Sequence, residues 1–195
     1  MKGIIKDCLI LFVITLIAGA ALGVVYDITK EPIAAQEAKK KVEAQQGVFA
    51  EADTFDAVEI DEAIASSIVA NGVTIDEAYD AKAAGAHAGY VVQATSPNGY
   101  GGNITLMVGV TADGTCNGYS LLTINETAGL GMNAKNADWA AQFAGKAVEA
   151  FEVTKLGASA DNQVDAISGA TITSNAVTEA VNACIAYANA LEGGN

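Results

Sequence analysis

The feature that most constrains this chain is a stretch of eighteen residues near the N-terminus that contains no charged residue. It runs from Cys8 to Val25 and reads CLILFVITLIAGAALGVV. A helix needs roughly 20 apolar residues to cross the hydrocarbon core of a bilayer, at about 1.5 Å of rise per residue. We therefore predict one transmembrane helix, followed by a domain on one side of the membrane.

A cleaved signal peptide is the alternative to an anchor. Ala18-Gly19-Ala20 has the small-x-small form that signal peptidase accepts. However, the apolar stretch is longer than a usual signal-peptide core and continues past this tripeptide to Val25. We favour the retained anchor, and cleavage stays open at this point.

Positive charges before the apolar stretch predict its orientation. Lys2 and Lys6 precede it, and the positive-inside rule keeps such a short N-terminus in the cytoplasm. Residues 39–41 are three lysines on the other flank, but they lie near the limit of the distance over which charge sets orientation. The chain is thus expected to be a single-pass protein of the cell membrane, with its main domain outside the cytoplasm.

The remaining sequence suggests three parts: residues 1–26 with the membrane helix, a juxtamembrane helix over residues 27–47, and a domain over residues 48–195. The second part is rich in Ala, Glu, Lys and Gln, which favour helices, and Pro32 predicts a short break before a new helix begins. The third part has the length of one ordinary domain.

Within the domain, three β-rich segments separated by glycine-containing turns predict an antiparallel meander. The segments are residues 89–95, 103–110 and 116–122, and the turns are residues 97–99 and 112–114. Helices are predicted over Asn136–Phe151 and Thr173–Ala190 from the spacing of their apolar residues. The expected fold class is α+β, an antiparallel sheet with flanking helices.

Charge and cysteine content exclude some functions. The chain has 10 basic and 23 acidic residues and a net charge of -13, which disfavours nucleic acid as a partner. Cys8, Cys116 and Cys184 show no metal-ligand spacing, so we predict no metal site. Only Cys116 and Cys184 could pair outside the membrane, and the sequence leaves that disulfide open.

The segment SGATITSN at residues 168–175 precedes the last predicted helix and is rich in helix-capping side chains. The start of a helix also attracts anions, because its N–H groups are unpaired and its dipole is positive there. Gly169 and Ala170 would let a bulky group approach the backbone. On these residues alone, the segment is either an ordinary helix cap or a phosphate site.

Three motifs resemble those of the FMN-binding domain family. DAISGAT at residues 165–171 resembles its flavinylation motif, NETAGLG at residues 125–131 resembles its ETPGLG loop, and GYGG at residues 99–102 resembles a third segment of the family. Ala128 stands where the family usually has proline. The resemblance covers about residues 88–190.

With its single N-terminal span, the chain as a whole is most similar to the G subunits of the Rnf complexes, which are ion-translocating ferredoxin:NAD oxidoreductases. The C subunits of the sodium-translocating NADH:quinone oxidoreductases are the close alternative. The resemblance implies an electron-carrying subunit of a membrane-bound redox translocase that is not catalytic alone and has no catalytic residue of its own. The implied partners are the other membrane subunits of the complex.

The resemblance also implies a covalent cofactor. A flavin transferase would take FMN from FAD and join it to Thr171 through a phosphoester. The residues implied around the phosphate are Ser168, Gly169, Ala170, Thr171, Ile172 and Thr173. Those implied against the isoalloxazine ring are Glu126, Thr127, Leu130 and Gly131.

Two other functions compete with the electron carrier. A membrane-tethered module that binds a phosphorylated ligand reversibly would use the same helix start. A stand-alone reductase would need a nicotinamide site, and the sequence has no GxGxxG between a strand and a helix. Outside the motifs, we expect His87 at a surface or turn position rather than as a ligand. We expect Trp139 in the core rather than stacked on the flavin, and Lys155 on the surface rather than beside the phosphate.

Overall fold

A computed structural model describes residues 2–68 and 70–193, except for the side chain of Lys2. The described residues fall into two compact units, which meet between Lys41 and Val42. The outer limits predicted for the first and last parts of the chain, residues 1 and 195, lie outside the described residues. The division into three parts stays a prediction.

The N-terminal helix, α1 (Lys2–Val48), is continuous and contains Pro32. The predicted break at this proline is therefore wrong. Proline removes one backbone donor and crowds the preceding turn, but the strong helix formers on both sides carry the helix through this position. Helix α1 is long and apolar enough to cross a membrane, and its most apolar stretch is not buried against other parts of the protein that the structure describes.

The second unit is built on a five-stranded antiparallel sheet in the order β1-β2-β3-β4-β5. Its strands are β1 (Thr54–Val58), β2 (Thr74–Ala83), β3 (Ala86–Gly99), β4 (Gly102–Thr111) and β5 (Cys116–Thr123). A short helix, α2 (Glu62–Ile68), connects the first two strands. The predicted α+β class and meander are confirmed. Strands β1 and β2 were not predicted, because the apolar residues in this part of the sequence show no clear period.

The hairpin between β3 and β4 differs from the prediction. Strand β3 continues through Pro97 to Gly99, which pairs with Gly102, so the turn consists of Tyr100 and Gly101 rather than residues 97–99. The register is irregular between Ser96 and Gly99, and such an irregularity accommodates a proline that has no N–H to donate. The second predicted turn, residues 112–114, lies between β4 and β5 as expected.

The polypeptide between β5 and the last helix is mostly irregular. It contains a 3-10 helix (Gly131–Lys135), α3 (Ala137–Ala140), and the parallel strands β6 (Glu152–Thr154) and β7 (Gln163–Asp165). The long helix predicted over Asn136–Phe151 is therefore wrong beyond its first turn. Trp139 and Phe143 are nevertheless buried, because they pack edge to face with each other and with Tyr119.

The last helix, α4 (Thr171–Gly193), lies against one face of the sheet, mainly on β3 and β4. Alternate residues of β3, including Tyr90, Val92 and Ala94, point to this helix and form the main core with it. The residues between them point to the opposite face. There Val91 packs in a smaller core with Val48 and Phe49, at the end of α1 and just after it.

Both cysteines of the domain are buried free thiols. Burial raises the pKa of Cys116 to about 11 and raises the pKa of Cys184 well above its usual value. Cys184 also donates to the carbonyl oxygen of Val92 at 3.4 Å. The two thiols therefore behave as core side chains and form no disulfide in this structure.

Candidate functional site

In the second unit, a cleft with a volume of ≈ 550 Å³ opens at the N-terminal end of α4. Ligand sites in proteins usually have volumes of about 300 to 1,000 Å³. Three segments that are distant in sequence line this cleft: the β3–β4 turn, the loop after β5, and the start of α4. The lining residues are Tyr100, Glu126, Thr127, Leu130, Gly131, Gly169, Ala170, Thr171, Ile172 and Thr173.

Helix α4 begins at Thr171, two residues before the predicted start. The backbone N–H of Ser174 donates to the carbonyl oxygen of Ala170 at 3.0 Å, which closes the first helical turn. The N–H groups before Ser174 are those that a helix leaves without an internal partner. The helix start that lines the cleft therefore supplies donors and the positive end of a dipole.

Gly169 gives the chain the sharp turn that it needs just before α4. Its φ is +73°, a conformation that favours glycine, and a Cβ atom built there would lie 3.1 Å from Cδ2 of Leu130. The small side chain of Ala170 follows it. A bulky group can therefore reach the backbone and the half-buried Thr171 from the cleft.

The three hydroxyl side chains of the first helical turn differ in their surroundings. Thr173 is 1% exposed and donates to Oε2 of Glu126 at 3.0 Å. Ser174 is fully buried, accepts from the N–H of Ile167 at 2.9 Å and donates to the Ala170 carbonyl at 3.0 Å. Thr171 alone of the three is partly exposed on the cleft.

Apolar side chains surround the opening of the cleft. Tyr100 is 74% exposed, Ile172 is 54% exposed and Leu130 is 42% exposed. Such side chains suit the flat face of a ring system, while the helix start suits an anionic group. The cleft thus combines an apolar wall with an anion-binding end.

The structure brings together nine of the ten predicted site residues. Ser168 is the exception: it faces a separate shallow hollow beside Trp139 and Gln142. Tyr100 is the lining residue that the prediction omitted, although it lies within the GYGG motif. An aromatic residue between glycines in a tight hairpin is the signal that could have identified it. Lys155 is exposed and lies outside the cleft lining.

Glu126 is the only ionisable carboxylate in the cleft lining, and no lysine or arginine lines it among the described residues. Its Oε1 accepts from the backbone N–H of Gly101 at 3.1 Å, while its Oε2 accepts from Thr173. A bound phosphate would therefore depend on backbone donors. The described residues also contain no group of three or more His, Cys, Asp or Glu side chains arranged for a metal.

His87 lies outside the cleft and has two partners that the sequence did not reveal. Its Nδ1 is 2.5 Å from Oδ1 of Asp80, and its Nε2 is 2.5 Å from Oε1 of Glu192, near the end of α4. Partial burial lowers the pKa of His87, but the hydrogen bonds and charges of Glu192 and Asp80 outweigh it and raise the pKa above its ordinary value.

Two sequence families match this chain. The FMN-binding domain family matches residues 99–186, and the RnfG N-terminal region matches residues 1–46. Both matching segments fall in parts of the chain that carry the features described above: the cleft and α4 in the first, helix α1 in the second.

Two curated relatives match nearly the whole chain. One is the G subunit of the Na(+)-translocating ferredoxin:NAD(+) oxidoreductase complex of Acetobacterium woodii, 36% identical over 94% of this chain and 91% of the relative. The other is the G subunit of the proton-translocating ferredoxin:NAD(+) oxidoreductase complex of Clostridium ljungdahlii, 36% identical over 91% of this chain and 88% of the relative.

A solved structure shares the fold. The crystal structure of NqrC from Shewanella oneidensis superposes with a TM-score of 0.51, covering 75% of this chain and 74% of NqrC. The sequences are 19% identical in this alignment. This likeness shows that the architecture is shared.

Proposed function

The chain belongs to the RnfG family, the G subunits of ion-translocating oxidoreductase complexes, and from this premise we propose that it is a membrane-bound electron carrier with FMN joined to Thr171. The observation that carries the proposal is the position of Thr171: it is the first residue of α4 and the only hydroxyl residue of that turn that is partly exposed on the cleft. The function is transfer of electrons within a ferredoxin:NAD(+) oxidoreductase complex.

The cleft fits FMN in size and in chemistry. The N–H groups at the start of α4 would hold the phosphate, together with the backbone from Gly169 to Thr173. The ring would lie against Leu130 and Thr127, with Tyr100 at the edge. When bound, FMN supplies the capacity to accept and pass on electrons singly, and the protein supplies orientation and partial exclusion of water.

Attachment would be a group transfer from FAD, catalysed by a flavin transferase. Oγ1 of Thr171 would form a bond to the phosphorus on the flavin side, the bond to the AMP phosphate would break, and AMP would leave. The hydroxyl proton is released, and no oxidation or reduction occurs. Covalent attachment suits a domain outside the cytoplasm, because a freely dissociating cofactor would be lost there.

Gel fluorescence tests the attachment. The full chain is produced in membranes together with a flavin transferase, and the denatured band is examined for flavin fluorescence. We expect a fluorescent band for the wild type and T171S, a dark band for T171A, and a fluorescent band for the control S168A, since Ser168 faces away from the cleft. Mass spectrometry should find FMN on the peptide that contains Thr171. A fluorescent T171A band would overturn the assignment.

A reversible phosphate-binding module is excluded by the same experiment if flavin survives denaturation. The alternative of a quinone-reductase C subunit has less support, because the two G subunits match more than nine-tenths of the chain, whereas the likeness to NqrC concerns the fold alone. Purification from membranes provides the direct test. The chain should copurify with the other subunits of a ferredoxin:NAD(+) oxidoreductase, and copurification with a quinone-reducing complex would contradict the proposal.

The membrane topology is also a proposal. The apolar part of helix α1 would cross the membrane once, with Lys2 and Lys6 at the start of the helix in the cytoplasm and the second unit outside. A reporter enzyme that is active only outside the cytoplasm, fused after Asn195, should be active. Retention of α1 in the mature protein should appear as an intact N-terminal peptide in mass spectrometry, and its absence would favour the cleaved signal peptide.

A further inference from the structure

One carboxylate joins the three walls of the cleft. Glu126 lies in the loop after β5, its Oε1 accepts from Gly101 in the β3–β4 turn, and its Oε2 accepts from Thr173 in the first turn of α4. The two distances are 3.1 Å and 3.0 Å. Each oxygen therefore holds a segment that is remote in sequence from Glu126 and from the other segment.

The carboxylate of Glu126 is surrounded by glycines at positions where a larger residue would collide with it. A Cβ atom built on Gly131 would lie 2.6 Å from Oε2 of Glu126 and 2.5 Å from Oγ1 of Thr173. A Cβ atom built on Gly99 would lie 2.8 Å from Oε1. Real Cβ atoms do not approach other atoms so closely, so the glycines make space for the carboxylate and its two donors.

The bond to Glu126 satisfies the buried hydroxyl of Thr173. This residue is 1% exposed, so its hydroxyl has no access to bulk water and needs a partner within the protein. Its bond to an ionised acceptor is of the stronger, charge-assisted kind. Because Thr171 lies two residues before Thr173 on the same helical turn, a fixed Thr173 also fixes Thr171.

We propose that Glu126 is a positioning residue that holds the first turn of α4 against the two glycine-containing loops and so orients the flavin carried by Thr171. The inference rests on the proposed function, since it concerns how the attached flavin is held. It also changes the role expected for Glu126 from the motif alone. Both oxygens of its carboxylate are already bound to protein donors, so its main effect on the flavin passes through Thr173 and the turn.

The substitution E126Q tests whether the charge and hydrogen bonds of Glu126 are needed, or only its size. A glutamine side chain has nearly the same shape, but only one of its two terminal atoms accepts a hydrogen bond, and the other donates. In E126Q, the amide oxygen can still accept from the Gly101 N–H, but the amide nitrogen can only donate to the Thr173 hydroxyl, so that contact loses its charge and its hydrogen bond reverses direction. T173V removes the other end of the contact with a side chain of similar shape, while T173S keeps the hydroxyl.

The experiment uses the full chain in detergent, with and without coproduction of a flavin transferase. The first readout, without flavin, is hydrogen exchange at the amide of Ser174, the first N–H of α4 that is bonded within the helix. We expect E126Q and T173V to accelerate this exchange about tenfold, which matches the loss of one charge-assisted hydrogen bond. T173S and the control E149Q, an exposed carboxylate outside the cleft lining, should exchange as the wild type does.

The second readout is the visible circular dichroism of the attached flavin, which reports how rigidly and in what orientation it is held. E126Q and T173V should lower its amplitude per bound flavin by at least half. The double variant should lower it no further, because both changes act on the same contact, that between residues 126 and 173. T173S should restore the wild-type signal. Thermal unfolding of each variant identifies any that fail to fold, and T173V replaces E126Q if that occurs.

The two readouts show separately whether the positioning role of Glu126 or the proposed covalent flavin is wrong. Wild-type exchange and a wild-type flavin signal in both E126Q and T173V would overturn the positioning role. A chain without covalent flavin would overturn the proposed function, while the exchange measurement would still test whether Glu126 fixes the helix start.

Discussion

The two ends of helix α4 are held in opposite ways. At its N-terminal end, the first turn lines a cleft, and a buried threonine, Thr173, is bound to the carboxylate of Glu126. At its C-terminal end, Glu192 is paired with His87 on β3, which also binds Asp80 on β2. The N-terminal end thus combines a fixed turn with space for a ligand. The C-terminal end is held to the sheet by partly exposed charged side chains.

The middle of the helix makes this division of roles possible. Val177, Val181 and Ile185 are fully buried against the sheet, so they hold the helix in place without help from its ends. A helix fixed by its apolar face can leave donors unpaired at its start at little cost to the fold. The comparison predicts that changes to the Glu126–Thr173 contact at the start affect the flavin, whereas changes at the end affect stability alone.

The largest effect is expected for G131A. The added methyl group cannot fit between Glu126 and Thr173 as they stand, so their hydrogen bond must break and the first turn must shift. We expect covalent flavin to fall at least tenfold and the free energy of unfolding to fall by about 2 kcal/mol. Gel fluorescence and denaturant unfolding measure the two effects.

A glycine in a helix provides the control for G131A. Gly47 lies in α1, and no atom lies within 4 Å of a Cβ built there, so G47A should keep wild-type flavin and at least wild-type stability. Wild-type flavin in G131A would show that the cleft does not depend on this contact.

S174A comes next and should separate stability from flavin attachment at the same end of the helix. Ser174 is the acceptor for the N–H of Ile167, which would be left buried without a partner. The free energy of unfolding should fall by about 1 to 3 kcal/mol, while flavin stays attached to Thr171. Denaturant unfolding with N175A, an exposed neighbour, as control measures the difference. A flavin-free S174A that is folded would contradict the assignment of attachment to Thr171.

H87Q tests the opposite end and should have a smaller, pH-dependent effect. The pKa of His87 is raised in the folded state, so folding favours its protonated form. The stabilisation is fully present below the ordinary pKa of histidine and is lost as the pH rises through the raised pKa. Because the group is partly exposed, the expected loss in H87Q is about 0.5 to 1 kcal/mol.

Thermal or denaturant unfolding of wild type and H87Q checks this expectation at about pH 6, below the ordinary pKa of histidine, and at about pH 9, far above that ordinary pKa. The stability difference should disappear at the higher pH, and covalent flavin should be unaffected at both. A difference that grows with pH would show that the neutral form of His87 is the stabilising one.

T178V should have the smallest effect and tests the middle of the helix. The hydroxyl of Thr178 is buried and finds no hydrogen-bond partner among the described residues. Replacing it with a methyl group of similar shape should leave stability unchanged or raise it by up to about 1 kcal/mol, because no polar group then remains buried. A loss of stability on denaturant unfolding would indicate that the hydroxyl has a partner, such as a buried water molecule.

Elements with a strong local signal could be predicted from the sequence. The uncharged stretch from Cys8 to Val25 indicated the apolar helix, and the glycine-containing turns indicated the meander, because both signals come from neighbouring residues. The start of α4 was predicted within two residues. By contrast, Asn136–Phe151 has apolar residues at helical spacing, but they are buried through aromatic packing against Tyr119 in a mostly irregular segment.

The sequence predicted which residues line the candidate site better than it predicted what each of them contacts. Motifs located nine of the ten lining residues, although Ser168 lies elsewhere and Tyr100 was missed. No local pattern could show that Glu126 binds Thr173, 47 positions later, or that His87 meets Glu192, 105 positions later. Such pairs form only when α4 packs against the sheet and brings residues that are distant in sequence into contact.

An N-terminal apolar helix, an α+β domain and a helix start with three hydroxyl residues within four positions could all be derived from the sequence. Which of these hydroxyls a ligand can reach depends on the folded domain. Packing buries Thr173 and Ser174 and occupies their hydroxyls, while Thr171 remains on the cleft. The physical reason is that local sequence sets the turn and its donors, whereas accessibility depends on segments from other parts of the chain that cover it.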